Sequence, residues 1–417
     1  MIADNDARAT ANADAFGRLN AGEPVLTAVK PAGDVLPGMQ PNMVLTSGWP
    51  MPWEDYSGGQ RRSLVYGAIY EGLAETEDEA VDKFASGENL IGACHDHGCV
   101  GSVAGIYTAS MPVFVVENKA FGNLGYCNFY EGGSPRRLNY GVYDDEVRDQ
   151  LKFIEQVIAP VIASAVDKSG GIPLKPLMQR AVHMGDELHS RNTAGTILFH
   201  RELMTHLMAL YAGNPDGVGE ADRFLKENEY FFLRLSMAAA KCMADAARDI
   251  EHSSMMTAMT ISCNGFAIRV SGLGDQWFTG PPPVVEAQLF EGYTSDDIHW
   301  IGGESHITET VGLGGFAQAA AFALQRYQGG SAEAMAATNA SMYDITIGEN
   351  TTFQIPFMGY RGTPTGVDIF KVLDTGITPA IDAGVAGRDG GQIGAGTLRA
   401  PIECFEGAAA AFKERYG

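Results

Sequence analysis

Between Asp144 and Ile250 the chain reads as helix and little else, while the segments on either side do not. From Glu146 to Val166, apolar residues at Leu151, Ile154, Val157, Ile158, Val161 and Ile162 form one stripe at helical spacing. Pro160 falls inside that stripe, and proline removes a backbone donor, so a kink or break is predicted there. Leu174 to Tyr211 is a second helical block, and Gly213-Asn214-Pro215-Asp216-Gly217 separates it from a third, Ala221 to Ile250. Such a block divides the chain. The expected fold class is α+β and multi-domain, with a mixed α/β domain over 1–145, a small helical domain over 146–250 and a second mixed α/β domain over 251–417.

The flanks carry shorter elements. Gln60 to Leu73 and Glu75 to Ser86 read as helices, the second ended by Gly87, and Met111 to Glu117 reads as a buried strand. Turn signals crowd the stretch from Gly122 to Pro135. Further on, Gly315 to Tyr327 and Ser331 to Tyr343 read as helices, Gly384 to Gly396 is rich in glycine, and Glu403 to Tyr416 reads as a closing helix.

Composition narrows the function. The chain has 417 residues, 45% of them hydrophobic, and 51 glycines, which suits a globular, loop-rich enzyme. A formal charge of −22 opposes broad binding to nucleic acid or to anionic lipid, so neither is expected as a partner. The acidic start (Met1 to Asp6) and the lack of any apolar run near the ~20 residues of a spanning helix predict neither signal peptide nor membrane span. Six scattered cysteines do not form a disulfide framework, and a cytoplasmic location is expected.

Four stretches pair charged or hydroxyl side chains with glycines: Arg269 to Asp275, Thr308 to Gly315, Gly348 to Asn350 and Arg361 to Gly366. Glycines let backbone N–H groups approach a ligand closely, so the repeated combination points to a small, oxygen-rich, anionic substrate. Arg269, before the Gly272/Gly274 turn, and Arg361, beside the rigid turn Thr363-Pro364-Thr365, are candidate guanidinium forks for a carboxylate or phosphate. A surface salt bridge is the bland alternative for either. Gly312-Leu313-Gly314-Gly315-Phe316-Ala317 matches G-x-G-x-x-A, but a Rossmann unit would continue into a strand and Ser331 to Tyr343 reads as helix. The turn is expected instead to present N–H groups to an anion, at Gly314 and Gly315.

Cys94-His95-Asp96-His97-Gly98-Cys99 places five metal-ligand types in six residues, and His95 and His97 would share a face of a strand. A structural zinc site needs a second ligand cluster, which the sequence lacks, so a substrate-facing histidine pair is the expectation and no metal is expected. Gly185 to Asn192 sits in a helical block, where Asp186/His189 and Glu187/Arg191 would meet on one face. Its uncharged neighbours favour a buried functional cluster over a solvated salt-bridged face. The phosphate-loop, G-x-S-x-G and H-E-x-x-H signatures are absent.

Taken in order, these stretches resemble the YlbE/AllG-like family. The segments that carry the resemblance include Cys94 to Gly98, Met111 to Asn118, Met184 to Glu187, Leu235 to Lys241, Arg269 to Gly274, Glu309 to Ala317, Gly348 to Asn350, Arg361 to Gly366 and Gln392 to Gly396. The resemblance implies a multi-domain α+β architecture. It also implies an oxamate carbamoyltransferase subunit working beside an acyl-CoA-synthetase-like FdrA subunit and a third subunit. That enzyme exchanges a carbamoyl group between oxalurate and phosphate in allantoin catabolism, giving oxamate and carbamoyl phosphate.

Such chemistry needs a grip on a carboxylate or phosphate, donors for an oxyanion and a group that manages protons. The catalytic candidates are His95, His97, Glu117, Asp186, His189 and Glu309. The binding candidates are Asn118, Arg191, Asn192, Arg269, Gly272, Gly314, Gly315, Glu349, Asn350, Arg361, Thr363 and Thr365. No cofactor is expected, and a homo-oligomer is. The Ser-Thr-Arg-Thr loop of ordinary transcarbamoylases is missing; Ser190-Arg191-Asn192-Thr193 only echoes it. An amidohydrolase opening a cyclic amide or ureido compound, or a non-catalytic partner subunit, are the alternatives.

Overall fold

A computed structural model describes residues 2–417, and the chain folds as a multi-domain α+β protein with several separate sheets. The run Met-Pro-Val-Phe-Val-Val-Glu becomes strand Pro112–Asn118, and Val113 to Val116 are all buried, as a continuous apolar run requires. This strand lies at the centre of a five-stranded sheet, between Leu124–Asn128 and Pro24–Pro31, with the short strands Cys99–Val100 and Ile172–Pro173 at the edges. All pairs are antiparallel except Cys99–Val100 against Leu124–Asn128. Phe114 and Val116 of the sheet share one hydrophobic core with Ile162, Val182, Phe199 and Met237 of the helices that follow.

Inside the helical block, Asp144 caps the first helix by accepting from Val147 N–H (2.9 Å). Helix Asp145–Phe153 passes through a π turn, Ile154–Ile158, straight into Ala159–Ser169. Pro160 therefore does not break the helix. Its missing N–H and bulky ring are accommodated by the wider turn, which shifts the backbone off the i−4 register.

The block from Leu174 to Tyr211 is two helices, Leu174–His183 and Thr193–Met208, and residues 184–192 between them form a loop. Gly185 (φ 103°) and Leu188 (φ 67°) leave helical geometry, and the Glu187 carboxylate accepts N–H bonds from His189, Ser190 and Arg191. Those N–H groups are thereby withdrawn from a helix. The expected helical pairings Asp186/His189 and Glu187/Arg191 do not form as i,i+3 and i,i+4 contacts. Asp186 instead accepts from Gly195 N–H (2.8 Å), doing the capping work at the start of Thr193–Met208.

Three more sheets follow: the meander Met256–Ser262, Gly265–Val270, Phe278–Gly280; the sheet Val284–Leu289, Gln392–Arg399, Ala380–Ala386; and the pair Thr346–Ile355 with Arg361–Val367. Thr363-Pro364-Thr365 is thus strand rather than turn, and proline is tolerated because the sheet has only two strands. Gly315 to Tyr327 is not a helix but a chain of short turns, Gly314–Phe316, Gln318–Ala320 and Phe322–Leu324, ending in Gln325–Gln328. Asn339 breaks it up by accepting from Ala319 N–H and donating to the Phe316 carbonyl, both at 3.0 Å. Helices Gly58–Glu71, Glu77–Ser86, Ala332–Met342 and Ile402–Tyr416 form where the pattern places them. Among the described residues, no helix is long and apolar enough to cross a membrane.

Candidate active site

The 184–192 loop, the 300–306 segment and the 383–386 strand end meet the 102–103 and 130–140 turns around a cavity of about 100 Å³. That is room for several waters or one small molecule. Backbone strain gathers at its edge, where Val103 (φ 58°) and Leu188 (φ 67°) hold left-handed conformations that side chains of their shape resist.

His189 follows Leu188 directly. Its Nδ1 lies 2.8 Å from Glu309 Oε1 and its Nε2 lies 2.7 Å from Ser305 Oγ. A carboxylate only accepts, so Nδ1 carries the hydrogen, and Nε2 presents its lone pair to the Ser305 hydroxyl. Serine, imidazole and carboxylate are thus in line, with His189 and Ser305 lining the cavity and Glu309 fully buried behind them. Asn192 Nδ2 donates to the His189 carbonyl (2.7 Å), fixing the loop. The residue before the serine, Glu304, is anchored by N–H bonds from Gly101 (2.9 Å) and Gly48 (3.2 Å) and by the Thr260 hydroxyl (3.1 Å).

Glu309 is pinned by Gly315 N–H (3.1 Å), Asp382 N–H (3.0 Å) and the Thr308 hydroxyl (2.9 Å). Asp382 and Glu187 are buried nearby. Burial, with the Glu309 charge added, pushes the Asp382 carboxyl up to about 7, and burial with Asp382 pushes Glu187 well above the usual range. Burial also raises Glu304 to about 8 and Asp186 to about 6. His306, another cavity residue, is pushed down to about 3 by burial, so it is neutral near pH 7, and its Nε2 has no partner among the described residues.

Two arginines complete the cavity. Arg137 and Arg234 are 9% and 3% exposed, and no carboxylate lies within 4 Å of either guanidinium among the described residues. Arg234 donates to Asn128 Oδ1 (3.0 Å) and Arg137 to Gln392 Oε1 (3.2 Å), while the Nε of each is buried without a partner. The Arg137 guanidinium lies 4.6 Å from the Tyr140 ring. Glu131, buried in the same cavity, bears on Arg137 electrostatically but spends its carboxylate on the Leu138 and Asn139 N–H groups, so neither guanidinium has a direct ion pair and donors remain to receive an anion.

The structure therefore brings together two of the sequence candidates, His189 and Glu309, with Asp186 and Asn192 supporting their loop. The glycines are engaged otherwise than expected: Gly314 N–H donates to the Glu187 carbonyl (2.8 Å), Gly315 N–H to Glu309 and Gly272 N–H to the Ser253 carbonyl (2.8 Å). None of these N–H groups is open to a ligand. His95 and His97 sit on a 3-10 turn rather than a strand. His95 is buried 3.2 Å from Lys241 Nζ, and His97 Nδ1 meets the Pro37 carbonyl (2.7 Å). Arg269 pairs with Asp96 (2.6 Å) over the Trp277 ring, and Arg191 bonds the Gly185 carbonyl (3.0 Å). Glu117 pairs with Lys119 at the surface, and Asn118 caps a turn by accepting from Glu23 N–H (2.9 Å). Arg361 is exposed, paired with Glu349 (2.8 Å) and laid over Tyr343. Asn350 and Thr365 both reach the Val311 carbonyl, and Thr363 is buried beside Gly312.

Ser305, Arg137 and Arg234 were not among the sequence candidates. Arg234 did leave a trace, a lone charge inside Phe231-Phe232-Leu233-Arg234-Leu235, where an arginine must be buried and employed.

The family model described as oxamate carbamoyltransferase subunit AllG matches residues 90–305. The oxamate carbamoyltransferase subunit AllG of Escherichia coli K12 is 37% identical over 414 residues, 98% of this chain and 98% of its own. The chain belongs to the AllG family. A second relative from the same bacterium, the uncharacterized protein YahG, is 39% identical over 99% of this chain and 87% of its own length. A crystal structure of a conserved protein of unknown function from Enterococcus faecalis V583 has the same fold, with a TM-score of 0.95, 35% identity and 98% coverage of both chains.

Proposed function

We propose that this member of the AllG family is a carbamoyltransferase subunit that moves a carbamoyl group between an oxalurate-like ureido acid and phosphate, giving oxamate and carbamoyl phosphate. The observation that carries the reading is the pair of buried arginines without carboxylate partners, Arg137 and Arg234, in the cavity that His189 and Ser305 line. Both substrates are oxyanions, and guanidinium forks bind such groups bidentately. His189 Nε2 is the proton-handling atom, and Glu309 holds the tautomer that keeps its lone pair facing the cavity. The E. coli relative is named as a subunit of the transferase, which supports assembly with partner subunits, and the family resemblance implies an FdrA-like one and a third.

The test is to incubate the full chain with oxalurate and phosphate, alone and then with an FdrA-like partner, and to measure oxamate and carbamoyl phosphate. Phosphate-dependent formation of both, at least about tenfold weaker in Arg234→Lys, is the expected result. Oxalurate cleavage that ignores phosphate would transfer the reading to a hydrolase. No turnover in any combination would remove it.

A further inference from the structure

We propose that Ser305 is a nucleophile and that the carbamoyl group is carried on its Oγ between two half-reactions. This rests on the carbamoyl-transfer reading for the identity of the group, but the nucleophile itself follows from geometry alone. Ser305 Oγ is within 2.7 Å of the free lone pair of His189 Nε2, whose other nitrogen is held by buried Glu309 at 2.8 Å. Because the Ser305 hydroxyl occupies Nε2, the first proton this base can take is that of the serine. Ser305 is partly exposed into the cavity, whereas Glu309 is not exposed at all, so the order from cavity to core is nucleophile, base, orienting carboxylate. Its backbone is held from both sides: the Glu304 side chain takes N–H bonds from Gly101 and Gly48, and the Ser305 carbonyl accepts from the Thr308 N–H (3.2 Å). Ser236 and Ser271, by contrast, spend their hydroxyls on backbone carbonyls away from any base.

In the first half-reaction, Ser305 Oγ attacks the carbamoyl carbon of the ureido acid as its proton moves to His189 Nε2. The bond from that carbon to the amide nitrogen breaks, and His189 returns the proton to the departing nitrogen. Oxamate leaves and Ser305 bears a carbamoyl ester. In the second, the hydroxyl oxygen of monohydrogen phosphate attacks the same carbon and gives its proton to His189. The carbon–Oγ bond breaks, the proton passes to Oγ, and carbamoyl phosphate departs.

Two measurements test this on the full chain, with and without an FdrA-like partner. Methanesulfonyl fluoride, small enough for the cavity, should sulfonylate Ser305 with loss of fluoride, as read by peptide mass mapping. Labelling should fall at least about a hundredfold in His189→Gln and vanish in Ser305→Ala, with the melting temperature of both near the parent's. Isotopically labelled oxamate should exchange into oxalurate without phosphate, since the first half-reaction is then reversible on its own; Ser305→Ala should abolish the exchange. Unlabelled Ser305 in a protein that melts normally would overturn the nucleophile. Phosphate-dependent turnover without phosphate-free exchange would overturn the carbamoyl-serine. Labelled Ser305 with no carbamoyl turnover would instead retain the nucleophile and refute the substrate reading.

Discussion

Replacing Asp382 by asparagine should make the protein more resistant to heat at alkaline pH and leave it unchanged in acid. Asp382 Oδ1 accepts from the Gln318 amide and, at 3.3 Å, from the Thr397 hydroxyl, while Oδ2 is buried without a partner beside Glu309. Asparagine keeps the accepting oxygen and puts an uncharged group in the other position. Because burial and Glu309 lift the folded carboxyl from 3.8 to about 7, its stabilising contribution is fully present below pH 4. It is lost as pH rises from there through about 7. About three pH units at ~1.4 kcal/mol each amount to roughly 4 kcal/mol. With an unfolding entropy of about 2.1 cal/mol/K per residue, a chain of 417 residues converts this to about 4–5 °C. The assay is scanning calorimetry of parent and Asp382→Asn from pH 4.5 to 8.5. The melting temperatures should differ by no more than about 1 °C at the acid end and diverge by several degrees at the alkaline end, with the variant higher. Parallel curves, or a variant less stable throughout, would show that Asp382 is held as a favourable carboxylate and would refute the argument.

Arg361→Lys should leave both melting temperature and turnover near the parent's, because an exposed pair such as Arg361–Glu349 is worth at most about 1 kcal/mol. Arg234→Lys should keep the fold, but it removes the guanidinium fork from a desolvated site. Steady-state kinetics should then show a ten- to thousandfold drop in kcat/KM, or about 1.5–4 kcal/mol. Gly314→Ala should impair turnover far more than Gly17→Ala. At Gly314 (φ 57°) a Cβ would fall 2.2 Å from the Glu309 carboxylate, whereas at Gly17 it meets nothing within 4 Å. Equal rates in these two glycine variants would mean that the Glu309 position does not matter.

The helices with whole apolar stripes or clear caps were legible in the sequence: Glu77–Ser86 has Thr76 before it and Gly87 after it, and Ile402–Tyr416 has its stripe. The loop at 184–192 was not, because its departure from helix depends on Glu187 capturing three N–H groups, and glutamate is otherwise a good helix former. The same limit applied to the site. His189 and Glu309 drew notice through their neighbours, but they are 120 residues apart, and no spacing rule joins them. Ser305 is one serine among many until His189 is placed against it. Arg361 attracted attention through its glycine and threonine neighbours, which in fact serve a two-stranded sheet. Local motif density reported close backbone packing here, and a charge that lines the cavity, Arg234, was a solitary one in apolar surroundings.

Glu309 takes hydrogen bonds from Gly315 and Asp382 while it holds His189. During synthesis the chain emerges in order, so the imidazole leaves the ribosome long before the strand that secures its carboxylate. Until Ala380–Ala386 has joined its sheet, the Glu309 side chain lacks one of the donors that aim it. The His189–Glu309 pair is therefore aimed only late in synthesis, and an incomplete translation product would carry the imidazole without one of the donors that orient its carboxylate.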